Sequence, residues 1–241
     1  KVLRDAGYAT CIVGKWQLGR DRNLIDHFGF DEYCLWWLEN KGPRYNNVGE
    51  LIQNGEVLPG KNGEYGPDVV SDFMLNFITR HQEEPFFCYL AYNTPHSPFQ
   101  VPDAYFDQYI HQVDEADSAL KIMNASVFGM VKNIDDNVGR LMDQLKELRL
   151  EENTIVLFMT DNGPNTERYN GHMKGRKAWV NDGGVRVPCF IQWKGHLPEN
   201  KIINSTTAHI DLLPTLTSLM GVDYQAVREI HGIDLSGRIY G

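Results

Sequence analysis

The sequence predicts an α/β fold built on a mostly parallel sheet with helices on both faces, and three observations carry that prediction. Short apolar runs at 8–13, 86–92 and 154–160 have the length and composition of buried strands. Helical periodicity fills the intervals at 68–81 and 120–148. Strand and helix patterns therefore alternate along the chain, the arrangement that builds parallel sheets.

Taken in order, residues 3–6 followed by Gly7 read as a helix end with a left-handed cap, and 8–13 as a strand that ends at Gly14-Lys15. Residues 20–66 are turn-rich and aromatic, with GFDEY, KGPRYNN and QNGE, and read as a long excursion carrying at most a hairpin. Val69, Phe73, Phe77 and Ile78 restore helical spacing over 68–81. In PFFCYLAYNTPHSPF, strand-prone residues 86–92 stand directly before Asn93-Thr94-Pro95-His96, where proline forces the chain out of the strand. The strongest helix follows: Leu120, Met123, Val127, Val131, Ile134, Val138, Leu141, Leu145 and Leu148 recur at helical spacing, opposite a charged face. After a turn at 151–153, TIVLFMT is a continuous apolar strand that stops at Asp161-Asn162-Gly163. Residues 187–193 are a fourth strand candidate, interrupted early by Pro188, and 210–220 a helix with an irregular first turn around Pro214. There is no internal repeat and no low-complexity tract, so a single domain over 1–241 is the economical reading.

Bulk properties remove whole classes of function. At 241 residues and 42% hydrophobic, the chain is long enough for one sizeable α/β core. A formal charge of −9 argues against a nucleic-acid binder, because phosphate contacts need a basic face and no long run of Lys and Arg exists. No apolar run approaches the roughly 20 residues of a bilayer span, and no signal peptide is recognisable. The chain opens at Lys1 without an initiator Met, as though already inside a helix, so the true N-terminus is expected upstream. Cys11, Cys34, Cys88 and Cys189 are widely spaced among mostly apolar neighbours and read as buried free thiols rather than a metal site or disulfide framework.

In an open parallel sheet, ligands bind beyond the carboxyl ends of the strands. Three predicted strands end in unusual polar groups: Lys15 brings a cation, His96 a titratable base, and Asp161 with Asn162 hard oxygen ligands. Each alone has an ordinary reading as a solvated lysine, a loop-capping imidazole or a turn. Their shared position points instead to a rim that holds a divalent cation together with an anionic substrate.

The same residues fall into a recognisable pattern. GYATCIVGKWQLG resembles the second signature of the type I, formylglycine-dependent sulfatases of the alkaline phosphatase superfamily, G-Y-x-T-x-x-x-G-K-W-x-L-G, at nearly every fixed position. TPHSPF is similar to that family's histidine loop, NVGRLMDQLKELRLEENTIVLFMTDNG to its helix, strand and metal-binding DNG, and MKGRKAWVNDGGVRVP to its G-x-K-x-x-x-x-E-G-G-x-R-V-P segment. HIDLLPTLTSLMG and HGIDLSG complete the order. The resemblance runs from Leu3 to about Leu235 and implies a partial sulfatase catalytic domain with an alkaline-phosphatase-like fold. It also implies what lies elsewhere. The family makes its formylglycine from Cys or Ser in a C/S-x-P/A-x-R motif that, with an Asp-Asp metal pair, precedes the GKW signature. No Cys or Ser here meets that pattern. Nucleophile, acidic pair and C-terminal subdomain are therefore expected outside 1–241, and these residues alone are expected to hydrolyse nothing.

By the resemblance, Asp161 and Asn162 supply two ligands of a calcium ion, with Mg²⁺ the other cation suited to oxygen-only ligation. Zinc is disfavoured, because the eight histidines include no pair spaced to chelate from one helix face. Lys15 and Lys177 are the candidate cations against charge developing on sulfate oxygens. Lys177 is placed by its distance from Asp182 of D-G-G, and Lys174 and Arg176 beside it read as solvated. His96 is expected to protonate the departing alcohol or phenol oxygen, work that suits a pKa near ~6.5. Lys15, His96 and Lys177 together form the substrate-binding set. Gln17 stands where most of the family has the histidine thought to help collapse the sulfated intermediate. Glutamine cannot take that proton at neutral pH, so the departure bears on turnover rather than on sulfate binding. Asp182 and Arg186 read as structural.

Hydrolysis of sulfate esters by a metal-assisted formylglycine mechanism is the leading function. A phosphonate monoester or phosphodiester hydrolase of the same superfamily, and a catalytically silent anion-binding paralogue prompted by Gln17, stay open. The expected partner is a small-molecule or carbohydrate sulfate ester, with no nucleic acid and no membrane span. Trp36, Trp37, Tyr33 and Tyr45 in the 20–66 segment can serve either as ring platforms for it or as loop core. The resemblance implies a periplasmic, secreted or lysosomal setting, whereas the residues themselves settle neither compartment nor oligomeric state.

Overall fold

The strand that carries Lys15 organises the main sheet. In the computed structural model, which describes residues 1–37, 42–166, 168–226 and 228–241, the chain divides into two units, Lys1–Leu148 with Ser205–Gly237 and Arg149–Asn204 with Arg238–Gly241. The first unit opens with α1 (Val2–Asp5) and β1 (Ala9–Trp16), separated by Gly7 at φ +87°. It continues with α2 (Asn23–Phe28), β2 (Glu32–Trp37), β3 (Leu51–Gln53) and β4 (Glu56–Leu58). Then come α3 (Gly66–Arg80), β5 (Phe86–Ala91), α4 (Asp103–Ile110) and α5 (Ser118–Glu147).

The sheet order is β4-β3-β2-β1-β5. β2, β1 and β5 run parallel, and β3 and β4 extend the sheet as an antiparallel hairpin. The mixed α/β class with a mostly parallel central sheet follows expectation, but the 20–66 segment does not. It was expected to hold at most the hairpin, and it also contributes a helix and an inner strand. EYCLWW becomes a strand because it pairs in parallel with β1, from Cys11 opposite Glu32 to Trp16 opposite Trp37. That partner lies far away in sequence, so no local pattern announces it.

β1 also runs further than its apolar run, through Lys15 to Trp16. Gly14 permits this: its φ is +96°, and a Cβ there would lie 2.1 Å from the Ala91 carbonyl oxygen on β5. On one side of the sheet Ile12, Trp16, Ile25, Leu35 and Ile52 form a core, with Leu24, Phe30 and Tyr33 packed against it. A second core joins Tyr45, Tyr65, Val101 and Met130. Each fully buried side chain of this kind contributes about 1.5–3 kcal/mol.

Helix α5 starts at an Asp117 cap whose carboxylate accepts from the Ala119 and Leu120 amides at 2.8 and 3.0 Å. Its buried face is rotated from the predicted stripe. Val127, Ile134 and Leu145 are buried as expected, but Leu120 and Val131 are exposed, and Ala125, Met130, Asn133 and Asn137 are buried instead. The polar pair explains the rotation: both asparagine amides donate to Asp68 of α3 at 2.8 Å, which satisfies groups that would otherwise be costly to bury.

The second unit contains β6 (Val156–Met159), a short helical turn α6 (Asp182–Val185) and β7 (Cys189–Gln192). Residues 154–160 were expected to form a longer strand of the parallel sheet. Among the described residues, β6 instead pairs antiparallel with β7 as a two-stranded sheet, with Leu157 opposite Ile191 and Met159 opposite Cys189. Cys189 is exposed and Cys88 half-buried, so the expectation of buried free thiols holds for Cys11 and Cys34 alone.

The first unit also includes α7 (Leu212–Met220), preceded by a 3₁₀ turn at His209–Asp211. Asp211 is buried and accepts from the Ala208 and Ile233 amides at 2.8 and 2.9 Å, while the Thr215 hydroxyl accepts from the Leu235 amide at 3.0 Å. The HIDLLPT and HGIDLSG segments are thus tied to each other by their own side chains.

Candidate active site

Because β1, β2 and β5 are parallel, their carboxyl ends share one rim. Lys15 occupies that end of β1, in register with Trp36 of β2. Gln17 follows it, exposed on a turn that Trp16 closes by donating its indole N–H to the Gly19 carbonyl at 2.9 Å. Trp16 itself is 1% exposed, so the turn is anchored in the core.

The loop leaving β5 carries His96, half-buried, between cis peptide bonds at Thr94–Pro95 and Ser97–Pro98. The His96 ring approaches the Ser97 carbonyl at 2.8 Å through Nδ1. A carbonyl can only accept, so Nδ1 carries a proton and Nε2 is the nitrogen left to exchange one with a ligand.

Two residues that the sequence did not single out for this purpose hold the loop. The Tyr45 hydroxyl is shared between the Asn93 carbonyl at 2.9 Å and the His96 carbonyl at 2.7 Å, and the ring is fully buried. Burial pushes its phenol pKa up, so the hydroxyl stays protonated as a donor. Arg44 donates to the Ser97 carbonyl, the same oxygen that accepts the hydrogen bond from His96 Nδ1, and its guanidinium lies over the Trp36 and Tyr45 rings at 5.1 and 5.4 Å. Tyr45 is therefore loop core, Tyr33 packs against the first core, and Trp36 is half-buried beside Arg44. The Trp37 side chain lies outside what is described. The clamp escapes sequence reading because its acceptors are backbone carbonyls, which leave no residue signature.

The second unit brings Asp161, Asn162 and Lys177 into one loop assembly. Asp161 is exposed and Asn162 half-buried, just past the end of β6. The Gly163 amide donates to the Gly184 carbonyl at 3.0 Å, the Lys177 amide to the Pro164 carbonyl at 2.8 Å, and the Gly183 amide to the Lys174 carbonyl at 2.8 Å. Gly163 has to be glycine, since a Cβ would sit 1.9 Å from the Gly183 oxygen. Neither the Asp161 carboxylate nor the Lys177 ammonium makes a hydrogen bond or ion pair with the other described residues of this unit. Lys174, Asp182 and Arg186 are exposed.

A hard cation suits the donor chemistry of Asp161 and Asn162, a carboxylate and an amide oxygen. Two donors fall short of the roughly six to eight that calcium takes, and among the described residues no group of three or more acidic, His or Cys side chains could hold a metal. These residues fit part of a calcium sphere. The nucleophile finds no fit: Cys11 and Cys34 are buried in strands, Cys88 lies within β5 and Cys189 on β7, and none has the required neighbours.

Comparison with known proteins gives the family of the chain. The family model described as Sulfatase matches residues 1–222. An N-acetylgalactosamine-6-sulfatase of Sus scrofa is 31% identical over 260 residues, covering 98% of this chain and 47% of that protein. The "Uncharacterized sulfatase YdeN" of Escherichia coli (strain K12) is 29% identical over 262 residues, covering 98% of this chain and 45% of that one. A crystal structure of Ps i-CgsB in complex with k-i-k-neocarrahexaose superposes with a TM-score of 0.84 at 27% identity, over 98% of this chain and 55% of that chain. The chain thus spans about half the length of the curated relatives it matches.

Proposed function

Because this chain belongs to the sulfatase family, we propose that the protein hydrolyses sulfate esters, with a sulfated carbohydrate as the substrate class. The observation that supports the reading is that Lys15 stands at the carboxyl end of β1 while His96, its Nδ1 engaged by the Ser97 carbonyl, lies on the loop that leaves the adjacent parallel strand β5. The carbohydrate preference draws on the sulfated-sugar relative and on the oligosaccharide-bound structure.

In this mechanism Lys15 and Lys177 bind nonbridging sulfate oxygens and favour the transition state, in which charge builds on those oxygens and on the leaving oxygen. His96 delivers the proton from Nε2 to the departing alcohol, while the Ser97 carbonyl keeps Nδ1 protonated and the ring oriented. Asp161 and Asn162 would hold a calcium ion that, when bound, supplies further charge compensation for the sulfate. Gln17 offers hydrogen bonds at the rim but no proton, so it orients rather than acts as acid or base. The attacking group is not assigned to any residue of 1–241, in keeping with the poor fit of all four cysteines.

The test is a parallel assay of the full-length protein on 4-nitrophenyl sulfate and bis(4-nitrophenyl) phosphate, with and without calcium. Sulfate hydrolysis that exceeds phosphodiester hydrolysis and is lost in His96→Ala supports the reading. Preference for the phosphodiester replaces it with the phosphorus-ester alternative.

A further inference from the structure

The loop assembly that presents Lys177 also forms an open cavity of about 270 Å³, lined by Thr166, Arg168, Asn170, Met173, Arg176 and Trp179. It lies wholly within the second unit. Its volume is just below the ~300 Å³ lower end of small-molecule sites and matches a single substituted sugar ring better than a chain. The wall is built rather than incidental. The Asn170 amide donates to the Met173 and Gly175 carbonyls at 2.9 and 3.2 Å, and the Trp179 amide donates to the Arg176 carbonyl at 2.9 Å.

The described part of the wall carries positive charge. Among its described residues there are two guanidinium groups and no carboxylate. Arg168 is half-buried, and burial lowers its pKa, the sign of a cation already stripped of part of its water. Trp179 is half-exposed, leaving an aromatic surface for the apolar face of a ring. Guanidinium forks recognise sulfate and carboxylate through paired N–H donors. Arg176 adjoins Lys177 in sequence, so the cavity neighbours the cation assigned to the scissile sulfate without being that cation's own site.

We propose that this cavity is a subsite for a sugar ring bearing a second anionic substituent, a sulfate or a carboxylate, next to the ester that is cleaved. The assignment rests on the sulfatase reading for the role of Lys177, but the binding it describes does not require turnover. The protein would thereby prefer polyanionic saccharides over isolated monosulfates. Arg176, read from sequence as merely solvated, becomes a specificity residue.

The experiment is calorimetric titration of the full-length protein with N-acetylgalactosamine 6-sulfate, its 4,6-disulfate, and a glucuronate-linked 6-sulfated disaccharide. Wild type is expected to bind at least one of the two dianionic sugars about tenfold more tightly than the monosulfate, the scale of one charge-assisted contact pair. Arg176→Gln should abolish that advantage and leave monosulfate affinity unchanged. Because Arg176 is exposed, this variant should fold, and Arg176→Lys should recover only part of the advantage. The arm that responds, disulfate or uronate, identifies the anion. Equal affinities for all three sugars, or equal affinities in wild type and Arg176→Gln, overturn the proposal. Turnover of 4-nitrophenyl sulfate is measured separately. Arginine-dependent binding without turnover sinks the sulfatase reading alone, and turnover with arginine-independent binding sinks the subsite alone.

Discussion

Replacing Tyr45 by Phe tests the clamp on the His96 loop. The ring stays, so packing against Tyr65 and beneath Arg44 is preserved, and only the hydroxyl is lost. Of its two acceptors, the Asn93 carbonyl keeps another donor, the His96 amide at 2.9 Å. The His96 carbonyl keeps none among the described residues, since its 2.7 Å bond to Tyr45 is the contact removed. One part-buried acceptor is therefore left without its donor, at a cost of up to about 1–3 kcal/mol. If the loop relieves that cost by shifting, His96 leaves its working position, and kcat should fall about 5- to 150-fold, the same energies expressed as rate. KM for 4-nitrophenyl sulfate should change far less. The assay is steady-state kinetics of full-length wild type, Tyr45→Phe, His96→Ala and the double variant. Tyr45→Phe should add nothing to the rate defect of His96→Ala, because both act through one group. Additive defects, or a Tyr45→Phe variant with undiminished kcat, refute the clamp.

Other expectations concern separate parts of the molecule. In the full-length protein Lys177→Ala should slow kcat on the order of a hundredfold, the usual loss for one transition-state charge contact, and Lys174→Ala should be nearly silent; equal effects would mean the wrong lysine has been chosen. Asp161→Ala should abolish calcium dependence and activity together, and an unchanged calorimetric calcium affinity would place the metal elsewhere. Stability should depend on the cluster in which Arg80 and His81 meet Glu32, with Glu84 on the other His81 nitrogen. Burial alone would lower the His81 pKa, but bonds to Glu84 and Glu32 outweigh it and raise it above the ordinary 6.5. Its stabilisation is thus complete below 6.5 and fades as pH climbs through the folded-state value. Glu32 behaves oppositely: the Arg80 hydrogen bond holds its pKa below 4.5, so its contribution is present above 4.5 and lost in acid. The urea midpoint gap between wild type and His81→Gln should therefore be wider at pH 5.5 than at pH 8.5, and a constant gap would show that His81 carries no such linkage.

What the sequence disclosed, and what it withheld, divides along the range of the interactions. α3, α5 and β5 were legible because helical periodicity, a strand-prone run and the proline that ends it are local. The positions of Lys15, His96 and Asp161 at strand ends were legible for the same reason. β2 was not, since EYCLWW owes its strand state to β1, and the rotation of α5 was not, since Asn133 and Asn137 are buried only because Asp68 meets them. The antiparallel pairing of β6 is likewise set by a distant partner, β7, while an apolar run reads alike in either orientation. At the candidate site the same divide separates His96, visible as a residue type, from Tyr45 and Arg44, whose work is done on main-chain oxygens.

The backbone bonds around Lys177 also bear on how such a protein could diversify. Main-chain bonds at Pro164, Gly163, Gly183 and Lys174, at 2.8–3.0 Å, hold the loop together with the Asn170 amide on the Met173 and Gly175 carbonyls. The register of Lys177 therefore does not depend on which side chains occupy Thr166, Arg168, Tyr169 or His172 between the anchors. Those positions can be exchanged as a cassette, tuning which sugars are admitted while the lysine stays where it is. A library randomised at these four positions should retain folded members with altered saccharide preference far more often than one randomised at the glycines that stitch the loop.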